Sequence, residues 1–326
     1  MRKFKSMSIV LTFVLALSLT LAGCGGGAKD PSKGDSGSKS VRIGTGGTSG
    51  IYFAMGGGLA QLLNQKGYNS SAQTTGASVE NMRLIEKAEV EIAFTQNDIA
   101  DYAMNGKEVF KEPLKNSMAV AALFPEVIQI VVEADSDIKS INDLKGKKIA
   151  VGSAGSGGEV NTRQVLEAAG ITYNDIKAQY LPYGEASDHF KDKLIDAMFV
   201  TGGVPHAAIQ DIASLHKVRF IPVPADIYNK LKERNPFYIQ STIPKGGYTG
   251  VNEDVATIAV MSTLITNKDL SEQTVYEITK NMFENLEVLK GSHIKWGLVS
   301  LSNAKEGITI PFHPGALKYY QEKGIK

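Results

Sequence analysis

The stretch Val41–Leu63, VRIGTGGTSGIYFAMGGGLAQLL, constrains the fold of this chain more than any other. A short strand, Val41–Ile43, runs into a glycine-rich turn, Gly44–Gly50. A helix follows, with Tyr52, Met55, Leu59, Leu62 and Leu63 on one apolar face. Glycines let the backbone take φ > 0 and approach a ligand closely. The helix that follows aims its unpaired N–H groups into the turn, which makes it a seat for a phosphate or carboxylate. The same grammar recurs at Lys148–Gly158, KIAVGSAGSGG. Two anion-holding turns in two halves of one chain predict a cleft with a jaw on each side. The triplet Gly56-Gly57-Gly58 inside the first helix costs about 1 kcal/mol per glycine relative to alanine, which predicts close packing of that helix backbone.

The rest of the chain repeats the pattern. Strands at Ser70–Thr75, Val90–Phe94, Met118–Leu123, Val127–Val132, Ala178–Leu181, Ala197–Val200 and Val218–Val223 are interleaved with helices near Val79–Ala88, Glu159–Ala169 and Ala186–Lys193. Ala256–Ile265 reads as a further strand that returns the chain to its first half. Two helices close it, Ser271–Lys290 and Pro314–Lys323. Alternating strands and helices predict an α/β fold of two lobes, each a mainly parallel sheet flanked by helices. The expected division is 41–132 with 255–326 as lobe 1 and 133–254 as lobe 2. Ligands of such sheets bind beyond the C-terminal strand ends.

Those ends supply the candidate ligand-binding residues. Thr48, Ser49, Gly50 and Tyr52 form the first jaw, with hydroxyls and helix N–H groups for a carboxylate and Tyr52 over the ligand's carbon chain. Ser153, Ser156, Gly157 and Gly158 form the second. Ser78 and Asn81 follow one strand end, Gln96 and Asp98 another, and Thr201, Gly202 and Gly203 a third. The plainer readings are a ligand-free turn with Tyr52 in the core, Ser78 as a helix cap, and Asp98 as a helix N-cap. Glu159 is expected to point outward and complement its helix dipole. Arg83 and Arg163 read as solvated surface; facing the cleft, either would grip a carboxylate firmly.

Met1–Gly23 has a basic start (Arg2, Lys3, Lys5), an apolar run from Ile9 to Leu21 and the ending Leu-Ala-Gly before Cys24. This is the layout of a secretory signal peptide, 1–23. Leu-Ala-Gly-Cys resembles a bacterial lipobox, which implies cleavage before Cys24, its acylation, and attachment to the bilayer of the bacterial cell membrane. Residues 24–40, rich in Gly, Ser and Lys, read as a flexible extracytoplasmic tether. The chain carries 35 basic and 34 acidic side chains; loss of the leader's three basic residues leaves 32 against 34, which gives no electrostatic case for nucleic acid. No G-x-S-x-G elbow or G-x-x-x-x-G-K-[ST] phosphate loop occurs, and the five histidines lack metal-ligand spacing. No enzyme activity, cofactor or metal is therefore expected.

These segments resemble a known family. GTGGTSGIYFAMGGGLAQLL, GASVENMRLIEKAEVEIAFTQND, INDLKGKKIAVGSAGSGGE, DAMFVTGGVPHAAI and the ending IPFHPGALKYYQEKG are similar to the TAXI family, the solute receptors of one branch of tripartite ATP-independent (TRAP) transporters. The resemblance spans Val41 to Gly324. It implies a type II periplasmic-binding-protein fold, and a monomer that closes on a glutamate-like amino acid or a small di- or keto acid. It also implies delivery of that solute to an ion-gradient-driven permease. One departure stands out: where the family commonly has Gly-Ser-Gly-Thr, this chain has Gly155-Ser156-Gly157-Gly158, so a hydroxyl expected near the ligand is missing. The alternatives are a receptor for an ABC importer and a ligand sensor for a membrane kinase.

Overall fold

In the computed structural model, which describes residues 39–325, the N-terminal third is three consecutive strand–turn–helix units. They are β1 (Lys39–Gly44) and α1 (Ile51–Gln65), β2 (Tyr68–Gln73) and α2 (Ser78–Glu86), and β3 (Ile92–Gln96) and α3 (Asn97–Asn105). β1 pairs in parallel with both β2 and β3. The leader, Cys24 and residues 25–38 of the expected tether lie outside the described residues; Lys39 and Ser40, expected in the tether, instead open β1 opposite Tyr68 and Asn69.

The chain then crosses the molecule on β4 (Ser117–Glu133), followed by β5 (Lys148–Ala150), α4 (Gly157–Ala168), β6 (Lys177–Gln179), α5 (Tyr183–Lys191) and β7 (Ala197–Gly202). Next come α6 (Ala207–Leu215), β8 (Val218–Phe220), α7 (Ala225–Arg234) and β9 (Ile239–Ile243). β10 (Val255–Asn267) crosses back, and α8 (Glu272–Glu284), α9 (Leu286–Lys290) and α10 (Pro314–Glu322) complete the chain. The sheet order is β2-β1-β3-β10-β4-β7-β5-β6, with β8 added on β4 and β9 on β10. The outer strands are parallel as expected, β5 with β6 and with β7. The two long strands are antiparallel to each other and to their neighbours, so the sheet is mixed.

β4 is one strand of 17 residues where the sequence predicts two. Pro125, which has no N–H to donate, suggests a break there. Instead its partner absorbs the fault: the β10–β4 register shifts between Met261 and Thr263, directly opposite Pro125. The expected helix 271–290 is two, because Asn285 leaves the helical region at φ −126°, ψ 27°. Helices α6 and α7 and strand β9 are additions to the predicted set.

The core changes hands midway along the crossing strands. Phe124 and Leu264 pack with Ile43, Phe94 and the α1 side chains Met55, Leu59 and Leu63. Ile128 and Val260 pack with Ile149, Val151 and Phe199. Met55, Leu59 and Leu63 are each fully buried, worth at most about 1.5–3 kcal/mol apiece.

That burial offsets the glycine triplet, two members of which have a packing reason. A Cβ on Gly56 would lie 2.4 Å from Thr45 Cγ2, and one on Gly58 would lie 2.0 Å from Ser292 Oγ. Thr45 cannot turn aside without breaking its 2.6 Å hydrogen bond to the Gln73 carbonyl. Gly57 has nothing within 4 Å. Urea denaturation of the single alanine variants checks this. Gly57→Ala should stabilise by about 0.5–1 kcal/mol through helix propensity, whereas Gly56→Ala and Gly58→Ala should destabilise by about 1 kcal/mol or more.

Candidate functional site

Strand pairing fixes where the site lies. Gln96, the last residue of β3, stands opposite Ser262 on β10. Gly202, the last residue of β7, stands opposite Val127, which in turn faces Ala259 on β10. Ser262 and Ala259 are three residues apart, about 10 Å of strand. The parallel strands of the two halves therefore run head-on and stop facing one another across a narrow gap. The helices that follow them start there. Ile51, Ser78, Gly157 and Tyr183, at the starts of α1, α2, α4 and α5, line one cleft of about 70 Å³, with Gln96 and His206, the N-caps of α3 and α6. Six helix N-termini aim partial positive charge and N–H donors into it.

Of the predicted residues, Ser49, Gly50 and Tyr52 line this cleft from the first jaw and Ser153, Ser156, Gly157 and Gly158 from the second. Ser78, Gln96, Thr201 and Gly202 line it too. Three predicted residues do not. Thr48 is exposed at the tip of the first turn. Asn81 is buried behind it and donates from Nδ2 to the carbonyls of Thr45 (2.7 Å) and Phe94 (2.8 Å), so it ties the glycine turn to β3 rather than touching a ligand. Gly203 packs against the aliphatic part of Lys295, whose Nζ donates to the Val204 carbonyl at 2.6 Å.

The cap assignments also change. Ala77, not Ser78, caps α2, and it does so at φ 73°, a left-handed backbone costly for any residue with a Cβ. Gln96 caps α3, while Asp98 is buried and accepts from Asn161 Nδ2 at 2.9 Å. Ser156 caps α4 by accepting from the Glu159 N–H at 3.0 Å. Glu159 itself turns away from the cleft to accept from the Tyr173 hydroxyl (2.8 Å). Arg83 lies over Phe110, and Arg163 pairs with Glu108 at 2.8 Å. Among the described residues, no lysine or arginine lines the cleft.

The second turn shows why this chain has Gly158. A Cβ there would lie 2.4 Å from the Tyr183 hydroxyl, and one on Gly157 would lie 1.7 Å from Gln96 Oε1. The Tyr183 hydroxyl, which accepts from the Thr201 N–H at 3.0 Å, occupies the place where a threonine side chain would project.

Glu126, Phe124, Tyr183 and His206 are lining residues that the sequence did not reveal. Glu126 lies in the apolar run of β4 and is buried; it accepts from the Tyr52 hydroxyl and, at 3.1 Å, from Gln96 Nε2. Desolvation by burial pushes both Glu126 and Asp98 up to about pKa 7, and burial pushes His206 down to about 4, so its imidazole is neutral. Asn161 and Gln164 of α4 carry the polar contacts onward to Tyr238 and Tyr102.

The halves also touch directly. The Glu80 N–H donates to the Gly155 carbonyl (3.2 Å), which joins the first turn of α2 to the second glycine turn. Glu108 accepts from Arg163 and, at 3.1 Å, from Gln164. A wider groove of about 890 Å³ lies along the flanks of α3, α4 and α7, lined by Asp101, Glu167, Lys230 and Arg234. Of the helix starts only Asn97, the first residue of α3, borders it.

The chain belongs to the NMT1-like family, matched over residues 43–324. Its fold is similar to the binding protein component of a phosphonate ABC transporter from Pseudomonas aeruginosa, with TM-score 0.51 and 11% identity over 79% of each chain. It is also similar to a protein from Bordetella bronchiseptica RB50, with TM-score 0.52 and 14% identity over 86% of this chain and 88% of that one. The periplasmic aliphatic sulphonate binding protein SsuA of Escherichia coli matches at TM-score 0.49 and 18% identity, over 87% and 83%. The architecture is the two-lobed α/β fold of periplasmic binding proteins.

The buried acids carry a pH signature. Each has a folded pKa near 7 against ordinary values of 4.5 and 3.8, so between about pH 4 and 7 the folded state binds more protons than the unfolded. Stability contributed by these groups is present at low pH and is lost as pH rises through 7, by up to about 1.4 kcal/mol per pH unit per group. Glu126→Gln removes one of them. The stability difference, variant minus wild type, should grow from pH 5 to pH 7 in denaturant titrations; a flat difference would show Glu126 ionised in the fold throughout.

Proposed function

We propose that this chain is an extracytoplasmic solute-binding protein whose two lobes close on a small carboxylate-bearing ligand and present it to a membrane importer. The observation that carries this is the convergence of six helix N-termini, three from each side of the crossing strands, on a cleft without a cationic side chain. Such a site favours a singly charged, planar anion held by N–H donors over a polyphosphate, which calls for lysine or a metal. Six ends at 0.3–1 kcal/mol each give roughly 2–6 kcal/mol. Micromolar binding needs about 8 kcal/mol, so hydrogen bonds formed on closure supply the remainder.

In this reading the hinge falls at Phe124–Val127 on β4 and Val260–Leu264 on β10, where the core changes hands. Lobe 1 is then 41–124 with 264–325, and lobe 2 is 127–260. Binding shifts the population toward the closed state because only that state presents both glycine turns to one ligand. No chemistry is performed on the solute. Cys24, once acylated, would hold the protein at the membrane. Among the described residues no helix is long and apolar enough to cross a membrane.

For the recipient, the name of the Pseudomonas neighbour supports an ATP-driven importer. The TAXI-like motifs suggest an ion-gradient permease instead. Uptake by right-side-out vesicles separates the two. Transport that requires ATP is expected; transport on an imposed ion gradient without ATP would establish the permease. A thermal-shift screen of carboxylates on the full chain, followed by solution scattering with the best ligand, tests the receptor itself. A smaller radius of gyration is expected on binding, and an unchanged radius would rule out closure. Gly157→Ala, whose methyl would collide with Gln96, should weaken binding of that ligand by more than about tenfold.

A further inference from the structure

The helix ends account for an anion, yet the floor of the cleft carries an acid. Glu126 comes from the middle of β4 and is 5% exposed. Both of its partners donate to it, the Tyr52 hydroxyl to Oε1 and Gln96 Nε2 to Oε2. A carboxylate offers about four acceptor positions, so lone pairs remain. Beside it, Gln96 is 2% exposed and its Oε1 has no hydrogen-bond partner among the described residues. The orientation of that amide follows from its Nε2, which donates to both Glu126 and Asn161.

Among the described residues, no neighbouring group answers this acid with a positive charge. Tyr52 faces it from α1, Gln96 and Asp98 from the β3–α3 turn, Ser262 from β10, and Tyr183 from α5. All are neutral or acidic, and His206 across the cleft is neutral. Two buried acceptors therefore border a cleft whose walls bring them no cation. A dicarboxylate or keto acid would add only further acceptors and set carboxylate against carboxylate. An ammonium group brings three N–H donors and the missing charge.

We infer that Glu126 and Gln96 form the seat of a protonated amino group, so that the solute is a zwitterion with its carboxylate on the helix starts and its ammonium on Glu126. This rests on the solute-binding reading above and narrows it. Bound ammonium also favours the ionised form of an acid that burial holds near neutrality.

Matched pairs of probes that share a carbon skeleton test the inference: L-glutamate against 2-oxoglutarate, L-aspartate against oxaloacetate, and L-leucine against 4-methyl-2-oxopentanoate. Each is titrated calorimetrically into the full chain near neutral pH, as wild type and Glu126→Gln. At least one amino acid should bind, at least about tenfold tighter than its oxo partner, and the variant should narrow that gap to about threefold or less. An oxo acid that binds wild type as tightly as its amino partner, or binds alone, overturns the inference and leaves the receptor reading standing. An unaltered gap in a folded variant also overturns it. Binding of neither class removes both readings. If Glu126→Gln does not fold, the wild-type comparison decides, with Gln96→Met as the second variant.

Discussion

The antiparallel pairing of β4 with β10 is the constraint on which everything else depends. Each strand is long enough to serve both cores, and together they join the β2-β1-β3 strands of one half to the β7-β5-β6 strands of the other. Because β3 and β7 pair with this ribbon from its two ends, their C-termini must meet near its middle. Every helix that follows a parallel strand then starts at the same place. The cleft is thus a consequence of strand direction and pairing, and loop residues only decide what it holds. The pair also tolerates the irregularity opposite Pro125, which falls where the two cores meet.

The glycine turns and the strand ends were legible in the sequence because they are local. A glycine run between a β-type segment and an apolar helical stripe has few other uses, and it placed Ser49, Gly50, Ser156 and Gly157 at the cleft. Glu126 was hidden for the opposite reason. It sits inside a strongly apolar strand, and its exposure to the cleft depends on the register of β10 and on Tyr52 and Gln96, which come from distant segments. Asn81 had a plausible position in sequence, within one helical turn of the start of α2, but the wrong direction: its amide serves two backbone carbonyls. Tyr183 stands three residues ahead of the helix expected at Ala186–Lys193; the backbone of Thr201, held by β7, turns its hydroxyl toward the second glycine turn. Residues whose role is set by non-local pairing cannot be read from periodicity.

Taken together, the site is polarised. Its rim is helix starts and glycines, positive without any charged side chain; its floor is an acid held by a tyrosine and a glutamine. That arrangement separates two recognition tasks in space. A small solute that satisfies only one end would leave buried groups unpaired at the other, which is the strongest form of discrimination available to a neutral cleft.

Contacts that join the halves apart from the cleft, such as Glu108 with Arg163 and Gln164 and the Glu80 N–H with Gly155, are made between protein groups alone. In the proposed closing receptor they act as a clasp whose strength sets how often the empty protein closes. Apparent affinity scales with that closed fraction, and each 1.4 kcal/mol added to the clasp changes it about tenfold until closure is complete. The same energy lengthens the time a captured solute is retained. In that proposal a residue such as Arg163, remote from the cleft, is a dial for the trade between capture at low concentration and prompt release.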